Sequence, residues 1–160
     1  MATTLERDDI GQSEIVRVLD LLGGAATFTR DLTNTLDAHE MIIQGFPGGV
    51  LTKLVANVSL IQSSDALEKA LGISQRTFQR RKAEASPKTL SPEQSGRAWK
   101  FAEILAKATT VFGSQEEAEQ WLEKPAIGLN QHRPIDLLST TAGTELVEQY
   151  LERIDFGVYA

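Results

Sequence analysis

The sequence predicts an all-α protein of ordinary domain size. Apolar residues recur at spacings of three and four along most of the 160 residues, which is the period of a helix with one buried face. Serine, threonine and proline stand where these runs begin, and glycine stands where they end, as is usual at helix termini. The composition, with 41% hydrophobic and 24% charged residues, is typical of a globular chain rather than a disordered one.

The first 47 residues form an N-terminal segment with two predicted helices, which could pair as a helical hairpin. Glycines at 23–24 and the stretch GFPGG at 45–49 would end them. The next apolar run, residues 50–58, also has helical spacing, but its β-branched residues leave a short strand over VANVSLI as an alternative. The residues expected on the apolar faces of the first two helices are Ile15, Val18, Leu19 and Leu22, then Leu32, Leu36, His39 and Ile43.

The middle of the chain, residues 64–83, has the pattern of a helix-turn-helix. The first helical run ends at Gly72, where the turn needs a residue that accepts a positive φ. The second helix would place Phe78 on its apolar side. We therefore predict a DNA-binding region over residues 48–90. The expected N-caps of the two helices are Ser64 and Ser74.

The second helix of this motif is strongly basic, although the chain as a whole has a net charge of −6. Arginine can pair bidentately with guanine and glutamine with adenine, so exposed side chains at the start of the helix are candidates for base contact. The alternative is a solvated helix whose arginines pair with neighbouring carboxylates. The predicted base contacts are Gln75, Arg76, Gln79 and Arg80, with Ser74 beside them at the N-cap, and the predicted phosphate contacts are Thr77, Arg81 and Lys82.

Charge is unevenly distributed along the chain. Residues 75–112 carry 8 basic and 3 acidic side chains, whereas residues 113–160 carry 3 basic and 9 acidic ones. Residues 1–45 are acidic as well, with 8 acidic and 3 basic side chains. Nucleic acid would be attracted to the basic middle and repelled by both acidic ends. Because one recognition helix covers only a half-site, binding to operator DNA also predicts a homodimer.

Residues 91–160 are predicted to form further helices with strong start signals. The stretch SPEQ at 91–94 combines an N-cap, a first-turn proline and a capping-box glutamine, and it begins the longest helix. Trp99 lies off the apolar face of that helix and is expected at a subunit or partner contact. Later helices would begin at Ser114, Pro134 and Thr140 or Thr141. The expected core residues of this half are Phe101, Leu105, Trp121, Leu122, Leu146, Val147, Tyr150, Leu151 and Ile154.

No catalytic or metal site is expected. The chain has no cysteine, and its two histidines, His39 and His132, are not at metal-ligand spacing; His39 is expected to pack on a helix face. No nucleophile stands beside a base in a known motif, so we predict a non-enzyme without cofactor or metal. The lack of a long apolar run and of a signal-like N-terminus predicts a cytoplasmic protein with no membrane partner.

Five short motifs follow one another from Leu90 to the end of residues 91–160. They are LSPEQSGR, VFG, A-x-x-WL-x-x-P, P-I-DLL-x-T-x-x-G and the terminal RI-x-x-GVYA. In this order and spacing they resemble the toxin-binding domain of the Xre/MbcA/ParS antitoxin family. The preceding LGISQRTFQRRK is similar to the helix-turn-helix of the same proteins, so the resemblance covers residues 45–160. Two local departures lie in a linker and on a helix surface: one is at residues 130–131, and in the pair 151–152 it is Glu152 that differs from the family.

The resemblance implies an antitoxin that binds a RES-domain toxin, an enzyme that depletes cellular NAD⁺, and that represses its own operon. It assigns residues 91–160 to a toxin-binding domain, whose aromatic tail DFGVYA could plug or overhang the toxin's active site. Two alternatives remain: the tail could pack on this protein's own core, and the chain could be a stand-alone helix-turn-helix transcriptional regulator. The predicted toxin contacts are Arg153, Phe156, Gly157, Val158, Tyr159 and Ala160.

Overall fold

The computed structural model of the chain describes residues 13–28 and 30–157, and it confirms the all-α prediction. Helices account for most of these residues, and no strand occurs among them. Short 3₁₀ turns lie at Ala25–Thr27, Ser59–Gln62 and Ile127–Leu129. In chain order the helices are α1 (residues 13–21), α2 (Thr35–Gln44), α3 (Gly49–Asn57), α4 (Ser64–Leu71), α5 (Gln75–Lys82), α6 (Pro92–Phe112), α7 (Gln115–Glu123), α8 (Pro134–Leu137) and α9 (Thr141–Asp155).

The 21-residue helix α6 is the centre of the fold, and α2, α4, α7 and α9 pack against it. It begins as predicted, with Pro92 in the first turn. Ser91 accepts a hydrogen bond from the Gln94 N–H, and the Gln94 side chain accepts one from the Ser91 N–H in return. Gly113 ends the helix at a left-handed φ of 95°. One well-capped helix therefore supports both halves of the chain.

Trp99 of α6 is buried, with 6% of its surface exposed, so its predicted place at a subunit or partner contact is wrong. The prediction assumed that α6 has a single apolar stripe. The neighbouring helices instead bury Trp99 together with Phe101 and Ile104. A helix enclosed by several neighbours is apolar over most of its circumference, so distance from one stripe does not indicate exposure.

The buried face of α2 also differs from the prediction. Leu36 and Ile43 are 65% and 59% exposed, and His39 is on the surface rather than packed. The predicted stripe begins at Leu32, which is buried but precedes the helix. Because a helix repeats every 3.6 residues, a stripe counted from a non-helical residue has the wrong phase. The buried residues of α2 are Ala38 and Met41.

The stretch VANVSLI is helical except at Val58, which is extended between α3 and the 3₁₀ turn, so the strand alternative is wrong. Its first residues complete α3, and the rest enters the 3₁₀ turn Ser59–Gln62. The β-branched side chains of Val55, Val58 and Ile61 are all buried. At Val55 and Ile61 this packing outweighs the preference of β-branched residues for strands, which depends strongly on context.

The connector between α5 and α6 is held against the loop between α2 and α3. The Leu90 N–H donates to the Phe46 carbonyl at 2.9 Å, and the Phe46 N–H donates to the buried Ser95 hydroxyl at 2.8 Å. Gly45 and Gly48 permit this approach, since a Cβ at either position would collide with a carbonyl oxygen of the connector. The GFPGG loop therefore fixes the connector and, with it, the end of α5.

Candidate functional site

The helix-turn-helix consists of α4, a three-residue turn and α5, as predicted. Gly72 ends α4 in the left-handed region at φ 67°, and its N–H donates to the Glu68 carbonyl at 2.8 Å. Ser74 begins α5 by accepting a hydrogen bond from the Thr77 N–H at 3.1 Å. The cap of α4 is Ser63, one residue before the predicted Ser64.

Most of the predicted DNA-contacting side chains lie on the exposed face of α5, and Phe78 is buried. Over the described residues, none of Arg76, Arg80 and Lys82 pairs with a carboxylate. The alternative in which the arginines pair with neighbouring carboxylates is therefore not the arrangement found. These cations can reach a phosphate backbone directly. The exposed members of the predicted set are Ser74, Arg76, Gln79, Arg80 and Lys82.

Three members of the predicted set are partly buried, namely Gln75, Thr77 and Arg81. Arg81 turns back onto the protein, where its guanidinium donates to the Lys88 carbonyl and to the Gln94 side chain, both at 3.4 Å. Within the described part of the chain, its Nε and the side-chain oxygen of Gln75 are buried without hydrogen-bond partners. Arg81 therefore contacts the connector to α6 and does not share the exposed face of α5.

Arg97 of α6 joins the helix-turn-helix to the C-terminal helices. Its guanidinium donates to the Lys69 carbonyl in the last turn of α4 at 2.7 Å and to the Leu138 carbonyl after α8 at 3.4 Å. A cation at the carbonyl end of a helix is favourable because it opposes the helix dipole. A Cβ at Gly72 would lie 2.7 Å from this guanidinium, so the turn needs glycine for space as well as for φ.

Lys69 also belongs to an ion cluster of four side chains between α4 and α8: Asp65, Lys69, Arg133 and Asp136. Arg133 donates two hydrogen bonds to Asp136, at 2.9 and 2.8 Å, and Lys69 pairs with the same carboxylate. Hydrogen bonds from Arg133 and Lys69 lower the pKa of Asp136 to about 2. Asp65 completes the cluster, 3.2 Å from Arg133 and 3.4 Å from Lys69. The ion cluster was not predicted from the sequence.

The described part of the tail, residues 155–157, lies at the end of α9. Helix α9 ends at Asp155, and Gly157 follows at a left-handed φ of 72°. Phe156 is 72% exposed, so this aromatic side chain does not pack on the protein's own core. Arg153, in the last turn of α9, is partly exposed. Val158, Tyr159 and Ala160, the remaining predicted toxin contacts, lie outside the described residues.

Four predicted core residues of the C-terminal half are not fully buried, namely Leu146, Trp121, Tyr150 and Ile154. Leu146 is 49% exposed, because Val147 sets the buried direction of α9 and Leu146 lies about 100° around the helix from it. Trp121 is half-buried, and its ring lies against Phe112 and Tyr150, with centroids 5.2 and 6.0 Å away.

The described residues contain no group of three or more His, Asp or Glu side chains arranged to hold a metal ion. His39 and His132 are both exposed. None of the described helices is both long enough and apolar enough to cross a membrane.

Comparison with known protein families matches two consecutive regions. Residues 37–103 match the antitoxin Xre-like helix-turn-helix domain, and residues 107–157 match the antitoxin Xre/MbcA/ParS C-terminal toxin-binding domain. Helix α6 therefore runs across the boundary between the two matches. The division of the chain into 1–47, 48–90 and 91–160 places that boundary before α6 and stays a prediction.

Curated relatives match over most of the chain. Antitoxin Xre of Pseudomonas putida (strain KT2440) is 32% identical over 127 residues, which cover 79% of this chain and 76% of the relative. Antitoxin Xre of Yersinia enterocolitica is 28% identical over 131 residues, covering 72% of this chain and 87% of the relative. Antitoxin Xre of Photorhabdus laumondii is 29% identical over 121 residues, covering 75% of this chain and 79% of the relative.

Proposed function

Because the chain belongs to the Xre antitoxin family, we propose that it neutralises a RES-domain toxin that degrades NAD⁺ and represses its own operon. The family assignment includes a helix-turn-helix and a toxin-binding domain. The proposal adds the kind of toxin, the way in which it is blocked, and autorepression. The observation that carries it is the presence, in one chain, of an exposed basic helix and a matched toxin-binding domain that is acidic.

In this proposal the C-terminal domain and tail cover the active site of the toxin. Exposed Phe156 leads into the tail, and Arg153 lies one turn before it. A cleft that binds the pyrophosphate of NAD⁺ is expected to be basic, so it would attract the acidic residues 113–160. The toxin is the enzyme of the pair, and this chain acts without catalysis, cofactor or metal. The proposed contacts are Arg153, Phe156, Gly157, Val158, Tyr159 and Ala160.

Coexpression with a RES-domain toxin, taken from the neighbouring reading frame, tests the antitoxin function. The full chain should restore growth and the NAD⁺ level, and it should copurify with the toxin. Deletion of residues 156–160 should abolish the restoration of growth, because the active site is no longer covered. A truncated chain that protects as well as the full chain would exclude the tail mechanism. A full chain that neither binds nor protects would favour a stand-alone transcriptional regulator.

The DNA-binding half of the proposal requires a homodimer, which would sit within a larger toxin–antitoxin complex. Helix α5 of one chain covers one half-site, and a second copy would present its own α5 about 34 Å away, one turn along the duplex. The exposed side chains Arg76, Gln79 and Arg80 would read bases, while Lys82 would contact phosphate. Operator DNA and toxin would both be met in the cytoplasm, with no membrane partner.

A further inference from the structure

Large apolar side chains that are exposed fall into two groups over the described residues. One group is in α1 and α2, and the other is in the region that matches the toxin-binding domain. Ile127 of the second group is 80% exposed, more than any other large apolar residue described. Clustered apolar side chains in contact with water commonly mark an interaction surface. The first group is Val16, Leu36 and Ile43, and the second is Ile127, Leu146 and Phe156.

The second group follows one side of α9. Leu146, Tyr150 and Arg153 recur at spacings of four and three, and Phe156 follows three residues later, so all four share a side of the helix. Ile127 adjoins them because the next residue, Gly128, packs on the ring of Tyr150, where a Cβ would collide with the ring atoms. We call this surface the C-terminal face: Ile127, Leu146, Tyr150, Arg153 and Phe156.

Tyr150, at the centre of the C-terminal face, is supported by other aromatic rings. Its ring stacks on Trp121 with centroids 6.0 Å apart, and Trp121 in turn lies 5.2 Å from Phe112 at the end of α6. Tyr150 keeps part of its surface exposed. An aromatic side chain fixed before binding loses little conformational entropy when a partner covers it, so the face is suited to tight contact.

We propose that the C-terminal face is the docking surface for the toxin and that the tail extends it. This rests on the proposed function. The face lies within residues 107–157, which match the toxin-binding domain, and Phe156 makes it continuous with the tail. The exposed surface of α9 also carries acidic residues, among them Glu145 and Asp155. The toxin surface that fits is therefore an apolar patch bordered by cations.

Affinity of the full-length chain for the purified RES-domain toxin, measured by titration calorimetry, tests the C-terminal face. The double substitution Ile127→Ala with Leu146→Ala should weaken toxin binding about tenfold or more, and Ile127→Glu with Leu146→Glu about a hundredfold or more. Val16→Glu is the matched control, since Val16 is an apolar helix residue that is 57% exposed outside the face. It should leave the affinity unchanged. Operator binding and Tm should be unchanged in every variant.

Three outcomes contradict the proposal in different ways. Unchanged toxin affinity in the double alanine variant would overturn the C-terminal face and leave the proposed function intact. If the glutamate variant does not fold, the alanine variant alone tests the face. A lower mass of the toxin-free variants in light scattering, with unchanged toxin affinity, would assign the face to contacts between copies of the chain and overturn the proposal. Failure of the unaltered chain to bind the toxin would overturn the proposed function and the face with it.

Discussion

At the scale of single residues, the turn glycine between α4 and α5 meets two separate demands. Its φ of 67° lies in the region that costs a residue with a Cβ about 1–2 kcal/mol. Its α-carbon also faces the guanidinium of Arg97, which donates to the last turn of α4. Only the second demand depends on Arg97, so the two can be separated by a double-mutant cycle.

Gly72→Ala is expected to lower the free energy of unfolding by about 2 kcal/mol, because the backbone strain adds to the displacement of Arg97. In an Arg97→Ala background the same substitution should cost only about 1 kcal/mol, since the strain alone remains. Urea unfolding of the four proteins measures both values. An equal decrease in the free energy of unfolding in the two backgrounds would mean that the Arg97 side chain moves away from the added methyl group without loss of stability.

At the scale of elements, the sequence predicts where helices begin and end better than which way they face. The predicted boundaries at Gly72, Ser74 and Ser91 are correct because each depends on local chemistry within four residues. The exposure of Leu36 and Leu146 is not predicted, because the buried side of a helix depends on neighbours that are distant in the chain. Spacing determines which residues share a face, but packing determines whether that face is covered.

The same distinction applies to the candidate site. The exposed face of α5 could be predicted, since the cap, the turn glycine and the basic residues are contiguous. The bond from Arg97 to α4 joins residues 28 apart, and the bond from Arg133 to Asp65 joins residues 68 apart. No local pattern predicts such contacts. Arg81 shows that prediction from the sequence is limited even within α5. The basic pattern of the helix predicts a DNA contact there, but the guanidinium donates to the connector instead.

The contrast within α5 gives a matched test of DNA reading. Arg76→Ala and Arg80→Ala should each weaken operator binding about tenfold or more, because an arginine–guanine pair contributes about 1–3 kcal/mol. Arg81→Ala removes the same charge from the same helix but from a side chain that contacts the connector, so it should weaken binding less. Fluorescence anisotropy with an operator duplex at fixed salt measures the three affinities, and toxin binding should be unaffected. Equal losses at all three positions would indicate that only net charge matters.

At the scale of the whole molecule, the DNA-binding and toxin-binding regions form one packed body over the described residues. Helix α4 packs on both α6 and α8, and α6 belongs to both family matches. Arg97 and the ion cluster add polar contacts at the same junction. Without a loose linker between the halves, a toxin docked on α9 would hold a fixed position relative to α5.

The ion cluster predicts how this junction responds to acid. The pKa of Asp136 is about 2 in the folded protein against 3.8 ordinarily, so ionised Asp136 stabilises the fold above about pH 4 and loses that effect as the pH falls toward 2. Asp136→Asn should therefore lower the free energy of unfolding at pH 7 by about 1 kcal/mol, a value reduced by solvent screening because the side chain is 28% exposed.

Urea unfolding of the unaltered chain and Asp136→Asn between pH 7 and pH 2 should show the difference shrinking to near zero at the acid end. Glu148→Gln serves as a control, because Glu148 pairs with Lys100 between α9 and α6 and lies outside the ion cluster. A difference for Asp136→Asn that stays constant with pH would mean that its carboxylate titrates normally. Asp136 would then add little to the junction between the halves, and acid would not loosen that junction selectively.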